Sequence, residues 1–300
     1  MPDTRVIINP SAQHGVTQRL VEAVQGLFSE QDAEVIITQE PLHAVRLAAE
    51  SAEAGARRVV AVGGDGTINE IVNGLMRIDE DRRPALGIIP SGSGNDIARL
   101  CHVPVGLSRA FLVLEGGHTH RFDVGRCNDR YFFSSFSVGL DALVVAKTVE
   151  YKTRQNSAGL TLYLRALLFT AFRNFHSIRL QIAYDDKPAQ ESAVMLCSAT
   201  NGKTYGGGIR INPWAEPDDG LLASSIVSDI SKPKFIAAIP LLAIARQDIL
   251  PEYHGCSCKR MLITSAEEVA VMAQTDGEIF SSPRFEVSIV PNTLEVIVPA

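Results

Sequence analysis

Glycines, small hydroxyl residues and acids gather at the ends of apolar runs in the first third of the chain. The densest group is Gly63-Gly64-Asp65-Gly66-Thr67, directly after Val59-Val60-Ala61-Val62 and directly before the stripe Ile68, Ile71, Val72, Leu75 and Met76. Glycines let a backbone turn sharply and let a phosphate come within hydrogen-bonding distance of the amides. The helix that the stripe predicts adds unpartnered N–H groups and the positive end of its dipole. Thr67 and Glu70, three residues apart, read as a capping box at the helix start. A second loop, Pro90-Ser91-Gly92-Ser93-Gly94-Asn95-Asp96, follows the run Leu86–Ile89. Asn9-Pro10-Ser11 and Thr38 close the runs Val6–Ile8 and Val35–Ile37. Turn chemistry accounts for each loop singly. As a set at the carboxyl ends of one parallel sheet they predict an anion site in its crevice.

Two familiar fingerprints are excluded. The dinucleotide pattern needs a third glycine where Asn69 stands, and Gly202-Lys203-Thr204 would need glycine at Cys197 to be a P-loop. Asp65 and Asp96 sit in the glycine loops and Asp123 in Phe122-Asp123-Val124-Gly125. Acids beside a phosphate site predict a hard cation such as Mg²⁺, which takes oxygen ligands and bridges phosphate oxygens. Thr275-Asp276-Gly277-Glu278 reads as an Asp-Gly hairpin turn. Pro217-Asp218-Asp219-Gly220-Leu221 reads as a turn whose oxygens suit a cation. Tyr205-Gly206-Gly207-Gly208 marks a flexible or closely approached backbone. The histidines do not pair at metal-ligand spacing, and neither HExxH nor GxSxG occurs.

The elements that carry these loops alternate strand with helix up to Gly116-Gly117, as in a doubly wound parallel sheet. From Arg121 onward, period-2 runs at Tyr131–Ser137, Ile178–Tyr184, Ala193–Thr200, Leu221–Ser228, Arg260–Thr264, Phe285–Val290 and Leu294–Val298 predict an antiparallel sandwich. Helical stretches Leu160–Phe175 and Lys232–Leu250 interrupt it. Phe169, Phe172 and Phe175, spaced by three, are core positions in the first instance and a lipid contact in the second. The expected fold is an N-terminal doubly wound α/β domain and a C-terminal antiparallel β-sandwich with inserted helices, packed with a cleft between them.

Composition agrees. A chain of 300 residues, 46% hydrophobic and 21% charged, is globular rather than disordered, collagenous or coiled-coil, and long enough for two domains. A net charge of −6 without a basic stripe argues against nucleic acid. Of the 5 cysteines only Cys256 and Cys258 are close, which suits reduced thiols in a cytoplasm rather than a disulfide framework. The N-terminal residues lack a signal peptide's pattern. The longest apolar run, Phe235–Ala245, holds Pro240 and falls short of the roughly 20 residues of a membrane span.

Asn9-Pro10-x-Ala12, Gly63-Gly64-Asp65-Gly66-Thr67-x-Asn69-Glu70, Pro90-x-Gly92-x-x-Asn95-Asp96, Gly206–Gly208, Asp218-Asp219-Gly220-Leu221 and Asp276-Gly277-Glu278 follow in order across nearly the whole chain. Together they resemble the diacylglycerol kinase catalytic-domain family, shared with bacterial lipid kinases and sphingosine kinases. The resemblance implies a nucleotide-binding domain of residues 1–120 with 292–300 returning to it, and a substrate domain of residues 121–291. It implies ATP-dependent phosphorylation of a lipid hydroxyl, of diacylglycerol or a related alcohol. The nucleotide contacts it implies are Asn9, Pro10, Ser11, Thr38, Gly63, Gly64, Asp65, Gly66, Thr67, Asn69, Glu70, Ser93 and Asn95. Ser93 stands where many relatives have threonine and keeps the hydroxyl. Asp65, Asp96 and Asp123 correspond to acids around the ATP-bound magnesium. Asp219, with carbonyls near Glu216 and Leu221, corresponds to a structural magnesium site. The proton acceptor falls at Asp276 or Glu278, with Glu278 preferred.

Two rivals stand beside this reading. An NAD kinase shares the Gly-Gly-Asp-Gly turn and a sandwich partner, but Asn9-Pro10 and Asn95-Asp96 argue against it. A catalytically silent nucleotide-binding regulatory module would not need both the glycine loops and the downstream acids. The partner expected is a lipid substrate, reached from the cytoplasm at the inner membrane surface. The two helical stretches, with Lys152, Arg154, Arg165 and Arg173, would line its entrance or rest on the bilayer, internal packing being the alternative. A homodimer is compatible with the sequence and is not specified by it.

Overall fold

The computed structural model describes residues 2–10, 18–151 and 160–300, and the backbone alone of 152–154. Ser11 and Ala12 lie outside the described residues, as do the side chains of Lys152 and Arg154. The chain divides into two units, Met1–Phe122 with Asn292–Ala300, and Asp123–Pro291.

In the first unit the apolar runs become β1 (Thr4–Ile8), β2 (Ala33–Ile37), β3 (Arg58–Gly63) and β4 (Ala85–Pro90). They alternate with α1 (Gln18–Phe28), α2 (His43–Glu53), α3 (Asp65–Leu75), α4 (Asp96–Leu100) and α5 (Leu107–Gly116). All pairings are parallel, in the order β2-β1-β3-β4, and Val296 of the returning C-terminal segment lies parallel beside Leu86. Successive strand residues point to opposite faces, so the complete burial of Val6, Ile7 and Ile8 means both faces are covered. That is why the runs do not alternate. Helix α2 packs on α3, while α1 meets α5 through the edge-to-face pair Phe28–Phe111, 5.2 Å between ring centres. Arg83 fastens the C-terminal segment, its guanidinium donating to Thr293 Oγ1 at 2.7 Å and to the Leu75 and Ile78 carbonyls.

The helix after β3 starts earlier than the capping box requires. Its first residue is Asp65 and its cap is Gly64, with no side-chain cap, so Thr67 lies inside the first turn. Glu70 instead reaches the start of α2, its Oε2 accepting the Ala44 N–H at 3.3 Å.

The second unit begins within β5 (Thr119–Cys127) and continues through β6 (Arg130–Phe132), β7 (Ser135–Gly139), α6 (Leu140–Arg154), α7 (Leu160–Arg173), β8 (Ile178–Tyr184), β9 (Gln190–Thr200) and β10 (Leu222–Ser228). Then come α8 (Lys232–Ala243), β11 (Tyr253–Cys258), β12 (Arg260–Ser265), β13 (Val271–Thr275), β14 (Glu278–Ser282) and β15 (Arg284–Ile297). The strands pair antiparallel in the order β14-β13-β7-β9-β8-β12-β15, and β9 also carries β10, which carries β11. Inward residues of these strands, among them Phe132, Phe136, Leu180, Cys197, Met261 and Phe285, fill one core. Met195 and Leu196 of β9 join a second core under α6, α7 and α8. The expected α/β domain and helix-bearing antiparallel sandwich are therefore both present.

Three local differences have physical causes. Helix α6 carries no clear sequence signal, because Val144, Val145, Thr148 and Val149 are β-branched, which lowers helix propensity. The Lys232–Leu250 stretch ends as an α-helix at Ala243, and Ala245 takes φ 54°. The two runs flanking Pro291 form one strand. Among the described residues no helix is long and apolar enough to cross a membrane.

Candidate functional site

The four strand ends of the first unit are joined side by side by backbone hydrogen bonds. Thr38 N–H donates to Ile8 O at 2.8 Å, Asn9 N–H to Val62 O at 3.2 Å, and Ser91 N–H to Gly63 O at 2.8 Å. The strand order reverses between β1 and β3, the place where parallel sheets open a binding crevice. Beside it, the two glycine loops, which follow β3 and β4, touch backbone to backbone. A Cβ on Gly92 would lie 2.4 Å from Gly64 Cα, so only glycine allows this approach. Asn95, at φ 53°, closes the second loop by accepting from Gly92 N–H and donating to Gly92 O, both at 2.9 Å. Its amide is thereby committed to shaping the loop.

Helix α3 makes its first internal bond from Ile68 N–H to Gly64 O, so the amides of Asp65, Gly66 and Thr67 precede the helical ladder. The Ser91 hydroxyl, buried in the adjoining loop, has no hydrogen-bond partner among the described residues. A hydroxyl there can both donate to and accept from a ligand oxygen. Asp65 Oδ1 accepts the Ile97 N–H at 2.9 Å, while Asp96 Oδ1 pairs with Arg99 at 2.5 Å. A Cβ on Gly94 would stand 2.9 Å from Asp65 Oδ2 and 3.5 Å from Asp96 Oδ2, so both carboxylates flank this glycine. Two acids beside exposed amides would repel a phosphate unless a cation lay between them. Thr38, Thr67 and Asn69 are buried here, whereas Asn9, Pro10, Gly64, Gly66 and Ser93 are half-buried.

In the second unit Asp123 is fully buried and organises the 216–221 loop. Its Oδ2 accepts the Gly220 N–H at 2.6 Å and its N–H donates to Pro217 O at 2.8 Å. Asp219 is exposed, with Oδ1 accepting the Leu221 N–H at 2.9 Å, and Glu216 pairs with Lys203 at 2.8 Å. Among the described residues no three His, Cys, Asp or Glu side chains converge on a metal position. A cation at either place must therefore be completed by backbone carbonyls, water or ligand oxygens.

Strands β13 and β14 form a hairpin in which Thr275 opposes Glu278. Asp276 and Gly277 make the two-residue turn at φ 47° and 93°, as an Asp-Gly turn of this class requires. The structure distinguishes the two acids. Asp276 accepts three backbone N–H groups, from Phe133 at 2.6 Å, Ser134 at 2.9 Å and Ser135 at 2.8 Å. Glu278 is exposed. One carboxylate fastens the turn, and the other is presented by it.

A further group joins the two helical stretches and Tyr205 to Asp141 and Tyr163, which no sequence motif marks. An apolar pocket, partly open to solvent, is lined by Leu140, Leu167, Leu196, Ile230, Phe235 and Leu242. Its polar wall includes Asp141, Tyr163 and Tyr205. Three positive-φ glycines, Gly206–Gly208, follow Tyr205, and a Cβ on Gly206 would press on the Tyr163 ring at 2.9 Å. Asp141, 1% exposed, accepts hydrogen bonds from Tyr163 and Ser137. Its only sequence signal is a lone acid within Phe136–Ala146.

Burial pushes the Asp141 carboxyl above its ordinary range, against hydrogen bonds from Ser137, Tyr163, Tyr205 and Gln274. The folded protein then holds this proton more tightly than the unfolded chain. Its contribution to stability is full below the ordinary carboxylate range and is lost as pH rises through the raised value. In Asp141→Asn that titration is gone, so the variant's Tm relative to wild type should rise between about pH 4 and about pH 8. Melting curves at the two pH values check this; a difference that stays flat contradicts it.

Comparison with known proteins places these features in context. The profile of the "Diacylglycerol kinase catalytic domain" matches residues 3–127, and that of the "YegS C-terminal NAD kinase beta sandwich-like domain" matches residues 134–298. A "Probable lipid kinase YegS-like" of Chromohalobacter salexigens is 33% identical over 268 residues, 88% of this chain and 83% of that protein. A "Diacylglycerol kinase" of Staphylococcus saprophyticus is 28% identical over 277 residues, 91% and 88% of the two chains. A crystal structure of a diacylglycerol kinase from Bacillus anthracis superposes with a TM-score of 0.80 at 24% identity, covering 99% of this chain and 97% of that one.

Proposed function

Because the chain belongs to the family of YegS-like lipid kinases with a diacylglycerol kinase catalytic domain, we propose that it transfers the γ-phosphate of ATP to the hydroxyl of a lipid alcohol of the diacylglycerol class. The observation that carries this reading is the apolar cavity of the second unit, which suits an acyl chain, in a chain that also has the glycine-built strand ends of the first.

The amides of Asp65, Gly66 and Thr67, with the Gly92 loop and the Ser91 hydroxyl, bind phosphate oxygens at the N-terminus of α3. The donor set fits magnesium, since Asp65 and Asp96 offer hard oxygens beside a phosphate-facing loop. Those two acids would hold one ion, and Asp219 with the carbonyls of Glu216 and Leu221 a second. When bound, magnesium supplies positive charge to the phosphate oxygens. Asp123 holds the Asp219 loop in shape through Gly220. Glu278 takes the proton of the acceptor hydroxyl as its oxygen bonds to the γ-phosphorus and the bond from that phosphorus to the bridging oxygen breaks. ADP and the phosphorylated lipid leave. Asp276 keeps the turn fixed and moves no proton.

The acceptor enters from a membrane surface in this reading. Phe172 is 64% exposed with Leu168 and Phe169 exposed on the same helix, and Ile244, after α8, is 65% exposed. Lys147 and Arg173 stand over the Phe169 ring. Apolar groups ringed by cations suit an anionic bilayer. Phe175, by contrast, packs on Phe235 inside the second unit, which divides the phenylalanine stripe between core and surface.

The test is ADP release with diacylglycerol, phosphatidylglycerol, a sphingoid base or NAD as acceptor, the lipids given in neutral or anionic vesicles. Turnover with one lipid class, faster on anionic vesicles, is expected. Turnover with NAD would favour an NAD kinase, to which the second domain's profile is akin. Equal rates on both vesicle types would remove the role of the cations in the membrane contact.

A further inference from the structure

Gln274, in β13 and 1% exposed, uses both ends of its amide. Its Nε2 donates to Ser137 Oγ at 2.9 Å and stands 3.4 Å from Ser135 Oγ and 3.5 Å from Asp141 Oδ2. Its Oε1 accepts the Gly277 N–H at 2.8 Å. One buried side chain thus joins the polar wall of the apolar cavity to the two-residue turn that presents Glu278. The neighbouring Ala273 faces the sandwich core, so alternation along β13 turns Gln274 to the opposite face.

The chemistry is demanding. The Asp141 side needs a donor and the Gly277 side an acceptor, which an amide supplies and a carboxylate or aliphatic chain does not. In a buried network an unmatched end is costly, and a satisfied one is rigid.

We propose that Gln274 is a positioning residue, which holds the Asp276–Gly277 turn against the cavity wall and so sets Glu278 relative to the acceptor bound there. This rests on the reading of Glu278 as proton acceptor. The Gly277 N–H can keep its direction only while Gln274 is itself anchored by Ser137 and Asp141. The base and the acceptor pocket therefore share one chain of hydrogen bonds.

The test compares wild type, Gln274→Met, Gln274→Glu and Glu278→Gln, using the acceptor lipid of highest turnover. Tm, kcat, and KM for ATP are followed from about pH 5.5 to about pH 9, the range in which the added carboxyl changes charge. Gln274→Met should lower kcat about tenfold or more with KM for ATP unchanged, as misplacement of a catalytic group does. Gln274→Glu keeps the shape and the acceptor but loses the donor at high pH; once protonated it can donate again. Its kcat relative to wild type should therefore rise as pH falls. This readout is taken within one folded variant and holds even if Gln274→Met fails to fold.

If Glu278→Gln is inactive while the Gln274 variants keep wild-type kcat and pH profile, the positioning role is overturned alone. Full turnover in Glu278→Gln, or no turnover of any lipid by wild type, overturns the parent reading and this proposal with it.

Discussion

Glu278→Gln should lower turnover by about 10²–10⁴-fold, the range lost with a general base, while the Kd for ATP stays within about twofold of wild type. The expectation follows from how the turn divides labour between its two acids. Asp276 has its oxygens engaged by the N–H groups of Phe133, Ser134 and Ser135, so taking a proton there would break the contacts that hold the turn. Glu278 is the exposed acid immediately after the turn and keeps the same length and shape when changed to glutamine. Loss of kcat with intact ATP binding, read by steady-state kinetics and calorimetry, is the signature of a group acting in the chemical step. Asp276→Asn should differ in kind, lowering Tm because an amide nitrogen would face a backbone N–H. Unchanged kcat in Glu278→Gln would remove the residue from the mechanism.

Gly92→Ala should weaken ATP binding by about 1–3 kcal/mol, roughly 5- to 150-fold, because a single methyl group must push the glycine loops away from each other. Its Cβ would fall 2.4 Å from Gly64 Cα and 2.9 Å from Asn95 Oδ1, in a place where backbone rather than a flexible side chain must give way. Gly26→Ala is the control. Gly26 lies in α1 with nothing within 4 Å of an added Cβ, and alanine there should be neutral or stabilising by about 0.5–1 kcal/mol. Titration calorimetry with ATP on both variants separates the cases. Wild-type affinity in Gly92→Ala would mean that the loop contact does not shape the phosphate site.

What could be read without coordinates was local chemistry. Val59–Val62 shows a doubly covered strand because every position is apolar, and Gly63–Thr67 shows a tight turn because glycine is demanded where backbone meets backbone. The cap at Thr67 misled because propensity favours a hydroxyl there, whereas the closeness of Gly64 to Gly92 starts the helix at Asp65. The acids of the 276–278 turn carry no sequence signal that ranks them; only the three amides from the Phe133–Ser135 segment do. The Asp141 wall was out of reach for the same reason. Its partners Ser137, Tyr163, Tyr205 and Gln274 come from distant positions and are assembled by the sandwich and its helices.

The most direct measurement follows the label of γ-³²P-ATP after incubation with protein, magnesium and vesicles containing diacylglycerol. The account predicts label in the organic-soluble lipid fraction, dependent on the lipid alcohol and lost in Glu278→Gln. Label found only as inorganic phosphate or on a water-soluble acceptor, whichever lipid is supplied, would contradict it.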